Sequence, residues 1–135
     1  MFDIIHLGHI HFLKESKKLG DELYVIVARD STAARNGKNP IFSEETRLSL
    51  VSELKPVDQA MLGHEGDIFQ TVLDVRPDVI TLGFDQRFDA DRIIQKCSDL
   101  GLKVRVERIS KSEAGNMHSS SQVRQKLLEE IENRI

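Results

Sequence analysis

Short apolar runs rich in β-branched residues alternate along this chain with longer stretches patterned at helical spacing, and that alternation restricts the fold more than any other feature. Residues 23–28 (LYVIVA) form a continuous apolar run, as expected of a strand covered on both faces. Residues 59–62 form a weaker strand. Residues 78–82 (DVITL) follow Pro77 and run into Gly83. Residues 103–109 (KVRVERI) alternate apolar and charged side chains, the pattern of a strand near a sheet edge.

Helical patterns fill the intervals. Residues 9–19 set Ile10, Leu13 and Leu19 roughly on one face, with Gly20 as a stop. Ser43 is a suitable N-cap for a helix through about Glu53, and Glu44 and Glu45 then fall in its first turn, where the dipole favours them. Asp67 caps residues 68–75, which Pro77 ends, and a helix from Asp89 or Ala90 runs to Gly101. Residues 121–134 carry Val123, Leu127, Leu128 and Ile131 as a last apolar stripe. Strands that alternate with helices imply a parallel sheet with helices on both faces, a three-layer α/β/α arrangement. Ligands in such folds bind beyond the carboxyl ends of the strands. The polar segment 29–42 (RDSTAARNGKNPIF) directly follows a strand and is expected to be a mobile loop of the active site.

At 135 residues the chain is sized for one domain spanning residues 1–135. Its formal net charge is -3, from 19 basic and 22 acidic residues, which argues against general nucleic-acid binding. Cys97 is the single cysteine, so no intramolecular disulfide forms and an intracellular setting is expected. Its neighbours Ile93, Ile94 and Leu100 make it a buried structural thiol. No apolar run approaches the roughly 20 residues of a membrane span, and the first residues lack the pattern of a signal peptide. The expected location is cytoplasmic, with no membrane partner.

The chemistry concentrates at residues 2–9, FDIIHLGH. His6 and His9 stand three apart, and Gly8 between them lets backbone come close to a ligand. His9 falls at or near a helix N-terminus, where unpaired N–H groups and the dipole favour an anion. Two imidazoles at that position make a cradle for phosphate oxygens. A metal site is the competing reading, with His11 close by, but His11 lies off the shared face and no cysteine joins the pair. Further candidates follow the later strands and loops. Arg35, Lys38 and Arg47 are cations in or just after the polar loop, Asp85 sits in the Gly83-Phe84-Asp85-Gln86 turn, and Ser119, Ser120 and Ser121 open the last helix with Arg124 one turn in. Taken singly, the cations suit a solvated loop and a helix ion pair, and the serines suit an ordinary N-cap.

FDIIHLGHIHFLKESKKLGDELYVIVARD resembles the opening of the cytidylyltransferase-like nucleotidyltransferases, the HxGH superfamily, and the likeness continues through EETRLSLVSELKPVD, VRPDVITLGFDQRFD and the serine turn. The resemblance implies a Rossmann-like fold. It also implies in-line attack by an acceptor phosphate on the α-phosphorus of a nucleoside triphosphate, with release of pyrophosphate and no covalent enzyme intermediate. His6 and His9 would stabilise the charge of that transition state, with Lys38 and Arg47 as further catalytic cations. Phe2, Leu7, Gly8, Asp85, Ser119, Ser120, Ser121 and Arg124 would contact nucleotide. Asp3 would hold the acceptor phosphate or a divalent cation such as Mg²⁺, and a homodimer is implied.

Within the superfamily, the glycerol-3-phosphate cytidylyltransferases carry an RTxGIST-type stretch before the last helix, where this chain has residues 113–119, EAGNMHS. The GFDQ turn paired with a plain SSSQVR turn is more similar to the archaeal FAD synthases, which transfer AMP from ATP to FMN with a divalent metal. FMN adenylylation is therefore the expectation. Alternatives are a CTP-dependent transfer to glycerol 3-phosphate, another small phosphorylated acceptor, or a module that binds ATP without turnover. The resemblance further implies an apolar strand ahead of Phe2, and that central first strand is expected to be missing from the sheet.

Overall fold

The computed structural model of the chain describes residues 2–110 and 120–134. Ten elements follow in order: α1 (Leu7–Lys17), β1 (Tyr24–Val27), α2 (Asp30–Arg35), α3 (Glu44–Ser52), β2 (Gln59–Leu62), α4 (Ile68–Val75), β3 (Val79–Leu82), α5 (Ala90–Asp99), β4 (Arg105–Arg108) and α6 (Ser120–Arg134). The α/β alternation read from the sequence is present, and all strand pairing among the described residues is parallel.

The strands form two separate ladders. Tyr24–Val27 pairs with Gln59–Leu62 in register, and Val79–Leu82 pairs with Arg105–Arg108. β1 and β3 are not hydrogen-bonded to each other, so the sheet is interrupted where the sequence led us to expect a central strand. Each ladder has its own core. Leu13, Val25, Val27 and Val51 are buried together, with Phe12, Leu48 and Leu62 packed against them. Cys97, Leu102 and Val104 form the second cluster, with Phe69, Val72 and Ile80 around it. Helix α1 bridges the two. Its Leu13 belongs to the first cluster, and its Ser16 hydroxyl donates to the Thr81 hydroxyl on β3 at 2.9 Å.

Local chemistry explains the element ends. The side chains of Ser43, Asp67 and Asp89 accept N–H groups from the first turns of α3, α4 and α5, as their sequence positions suggest. After α5, Gly101 adopts φ +81°, the Leu102 N–H bonds to the Cys97 carbonyl at 2.8 Å and the Gly101 N–H to the Ser98 carbonyl at 3.0 Å. That is a Schellman closure, and it leaves Leu102 against Cys97 in the core. Cys97 is wholly buried, as its helical spacing indicates.

The segment 29–42 differs from the expected mobile loop. Its first half is α2, closed by a second Schellman motif: Gly37 at φ +72° donates to the Ala34 carbonyl, and the Lys38 N–H to the Ala33 carbonyl at 2.9 Å. Asp30 in the first turn and the Ala33-Ala34 pair favour this helix, and they were legible beside the Gly and Asn that suggested a loop. Helix α1 also starts earlier than expected, at Leu7, and ends at Lys17 before Gly20 is reached. The stripe of α6 is on the surface rather than in the core: Leu127, Leu128 and Ile131 are each about half exposed. Among the described residues no helix is long and apolar enough to cross a membrane.

Candidate active site

His6 is itself the N-cap of α1, in an extended conformation, and its ring Nδ1 accepts the Gly8 N–H at 3.1 Å. The His9 ring reaches back, and its Nδ1 accepts the His6 N–H at 3.2 Å. The two histidines thus form a reciprocal capping box, a role that Ser or Thr and Glu usually share. The rings stack with centroids 3.8 Å apart and planes 23° from parallel, and Phe2 lies 5.1 Å from His9.

This geometry fixes the tautomers. A nitrogen that accepts a backbone N–H carries no proton, so each neutral ring bears its hydrogen on Nε2 and is a donor there. Burial, with the neighbouring His6 as the second cause, lowers the pKa of His9 from 6.5 to about 3. His9 is therefore neutral near pH 7 and offers an N–H rather than a full positive charge. Around the rings, the N–H groups of His9 and Ile10 both bond to the His6 carbonyl. The Leu7 N–H, the first of the helix, has no protein acceptor among the described residues. A helix start whose first N–H has no acceptor among the described residues, beside a neutral His9 ring that bears Nε2–H, suits an anion.

Asp3 is buried, and its two carboxylate oxygens accept the N–H groups of Ile41 and Phe42, each at 2.8 Å. The acid ties the histidine turn to the end of the polar segment. Arg47 completes the same clamp from the far side. Its guanidinium is fully buried, donating to the carbonyls of Phe42 (3.1 Å) and Ala28 (2.7 Å) and pairing with Asp30 at 2.6 Å. Arg47 holds the Asp30 carboxyl below the usual carboxylate range, and Asp30 in turn accepts the Glu44 N–H. Asp3, Arg47 and Asp30 therefore lock both ends of residues 29–42 to β1 and to α3. Lys38 sits exposed on this locked segment, its backbone fixed by the closure of α2.

The second group of candidates surrounds the carboxyl end of β3. Asp85 is exposed in the turn after Leu82. The turn closes on itself, with the Gly83 N–H donating to the Gln86 side-chain oxygen at 2.7 Å. Arg108, at the end of β4, draws in three carbonyls of the same turn, and sequence reading overlooked it because a charged residue in an alternating strand looks like solvated surface. The turn is tied to α1 through the end of β4. Ile109 N–H bonds to the Leu82 carbonyl at 2.8 Å, and the His11 ring Nε2 meets the Ser110 carbonyl at 3.1 Å. His11 thus serves as a contact between α1 and β4, off the His6/His9 stack. Among the described residues, no three His, Cys, Asp or Glu side chains gather as a metal site.

Ser119 lies outside the described residues. Ser120 is the first residue of α6, and Ser121 and Arg124 are exposed near its start. An open cavity of about 560 Å³ lies between α6 and the histidine turn, with Ile4, Ile5, Leu7, Ile10, Val123 and Leu127 as its apolar wall and His6 at its margin.

The chain is similar to known proteins over nearly its whole length. It is 62% identical over 131 residues to the FAD synthase of Thermoplasma volcanium, covering 97% of this chain and 92% of that protein. It is 62% identical over 135 residues to the FAD synthase of Thermoplasma acidophilum, covering all of this chain and 94% of that protein. The FAD synthase of Picrophilus torridus is 57% identical over 129 residues, which cover 96% of this chain and 92% of that protein. Among solved structures, the lipopolysaccharide core biosynthesis protein of Thermoplasma volcanium superposes with a TM-score of 0.83 at 64% identity, covering 84% of this chain and 93% of that one. The model of the cytidylyltransferase-like family matches residues 1–126, and this chain belongs to that family.

Proposed function

We propose that this chain transfers the adenylyl group of ATP to the phosphate of FMN, giving FAD and pyrophosphate. An FMN phosphate oxygen forms a bond to the α-phosphorus, the bond from that phosphorus to the α,β-bridging oxygen breaks, and the electron pair leaves with pyrophosphate. The observation that carries this reading is the imidazole capping box. It stacks two imidazoles at a helix start whose Leu7 N–H has no acceptor among the described residues, and the neutral His9 ring carries its hydrogen on Nε2. Donors fixed before the substrate arrives cost no reorganisation when charge builds on the phosphoryl oxygens. The relatives named FAD synthase, more than half identical along the chain, support the choice of ATP and FMN.

In this reading His6, His9 and the Leu7 N–H hold the phosphates, Gly8 leaves room for them beside the helix start, and Phe2 backs the His9 ring. Lys38 supplies a mobile charge from a fixed backbone. Arg47 and Asp3 act as positioning residues, because their polar atoms are engaged by the backbone of residues 28–42. Asp85 meets the nucleoside, while Ser119, Ser120, Ser121 and Arg124 meet the terminal phosphates. The donor set fits a divalent cation only as the companion of the triphosphate, since Asp3 is taken up by two N–H groups. Mg²⁺ commonly keeps its waters and is held largely by substrate phosphates. Bound in that way it would neutralise phosphate charge. A homodimer is part of the reading, supported by the exposed stripe of Leu127, Leu128 and Ile131, and sedimentation measures it.

The test is incubation with ATP, FMN and Mg²⁺, with FAD separated chromatographically and pyrophosphate counted. Equal amounts of FAD and pyrophosphate are expected, and both should stop when a chelator is added. A different name on a solved relative 64% identical favours including other acceptors, so CTP with glycerol 3-phosphate and ATP with a phosphorylated sugar run alongside. Pyrophosphate release only in one of those arms refutes the FMN assignment. ATP binding with no release in any arm refutes transfer altogether.

A further inference from the structure

Arg108 ends β4 on the surface, yet its guanidinium is wholly directed into the neighbouring turn. Nη1 donates to the carbonyls of Gly83 at 2.9 Å and Gln86 at 2.8 Å, and Nη2 donates to the carbonyl of Phe88 at 2.8 Å. Among the described residues it pairs with no carboxylate. A cation that gathers three backbone carbonyls of one six-residue turn fixes the path of that turn. It does so with a rigid fork that lysine lacks. The turn is also compact from within. The Gly83 N–H is held by the Gln86 side chain, and a Cβ on Gly83 would come within 3.3 Å of the Asp85 carboxylate. Asp85 is exposed in this turn at the carboxyl end of β3, as are its neighbours Phe84 and Arg87.

We infer that Arg108 is a positioning residue for nucleotide binding: it sets the conformation of residues 83–88 so that Asp85 is presented to the nucleoside before it binds. This rests on the proposed nucleotidyl transfer. Arg108 touches no substrate in this account. It acts through carbonyls, and its position is coupled to the histidine turn because Ile109 pairs with Leu82 and Ser110 meets His11. Loss of the fork leaves the turn free to sample other shapes, and nucleotide affinity falls in proportion to the time spent away from the competent one.

The experiment compares Arg108→Ala and Arg108→Lys with the native protein, measuring kcat and the KM of ATP and of FMN separately, with Tm as the check on folding. For Arg108→Ala the KM for ATP is expected to rise about tenfold or more, while the KM for FMN and kcat stay within about threefold. Arg108→Lys should recover only part of the loss, since one ammonium cannot span both edges of the fork. If the alanine variant does not fold, the lysine variant carries the test. An unchanged KM for ATP in a folded variant overturns the inference. So does an equal rise in both KM values, or a loss confined to kcat, because either result makes Arg108 a general support or part of the chemical step. If the native protein makes no FAD, the functional reading fails separately, and the inference is then read on the dissociation constant of ATP by titration calorimetry.

Discussion

Acid should weaken this protein through His9 before it reaches the carboxylates. Folding lowers the His9 pKa from 6.5 to about 3, so between those values the unfolded chain binds a proton that the folded chain refuses. Stability then rises with pH through the window and is lost as pH falls from 6.5 toward 3. With those two pKa values, the change between pH 8 and pH 5 amounts to as much as about 2 kcal/mol, a ceiling because the ring is only partly buried. For a domain of this length, at roughly 2.1 cal/mol/K of unfolding entropy per residue, that ceiling lowers Tm by about 7 °C. Asp30 and Asp58, held low by Arg47 and Lys17 respectively, contribute stability that is lost only as pH falls through their own lower range. The assay is a Tm scan from pH 8 to pH 5 on the native protein and on His9→Asn, whose amide oxygen can still accept the His6 N–H without titrating. The native curve should fall more steeply. Parallel curves would show that the ring is not held neutral by its surroundings, and the argument for a neutral Nε2–H donor would go with it.

His9→Asn should also lower kcat by about 10²–10³-fold with a small change in the KM for ATP, as loss of a preorganised donor does elsewhere; steady-state pyrophosphate release measures it, and turnover within tenfold of native contradicts the role. Arg47→Met should cost about 3 kcal/mol in urea unfolding, because the carbonyls of Ala28 and Phe42 lose a buried donor and Asp30 loses its partner. A loss under about 1 kcal/mol would mean that water replaces the guanidinium at no cost. Asp3→Asn sets an amide NH₂ against one of two backbone N–H groups, so destabilisation of about 1–3 kcal/mol is expected, with faster protease cleavage within residues 36–42. Unaltered cleavage would disprove the clamp.

Strand and cap positions were legible because they follow from local chemistry. The run 23–28 and the caps Ser43, Asp67 and Asp89 each rest on neighbours within a few residues. The HxGH turn was legible as a helix start bearing two imidazoles for the same reason. Its construction was not. That each imidazole caps the other's backbone depends on ring orientations that spacing does not determine. Asp3 and Arg47 were selected as site residues from the resemblance, but their partners lie up to 39 positions away. No local pattern reveals that a carboxylate will meet Ile41 and Phe42. Arg108 was missed on similar grounds. The stripe on α6 shows the opposite limit, where helical periodicity reports an apolar face and says nothing about whether this chain covers it.

Helix α1 reaches the second ladder through polar side chains, Ser16 to the Thr81 hydroxyl and His11 to the Ser110 carbonyl. The histidines ride at the head of that same helix, whereas Asp85 belongs wholly to the second half. The spacing between the histidine turn and the Asp85 turn is therefore set in part by two side-chain contacts made from one eleven-residue helix.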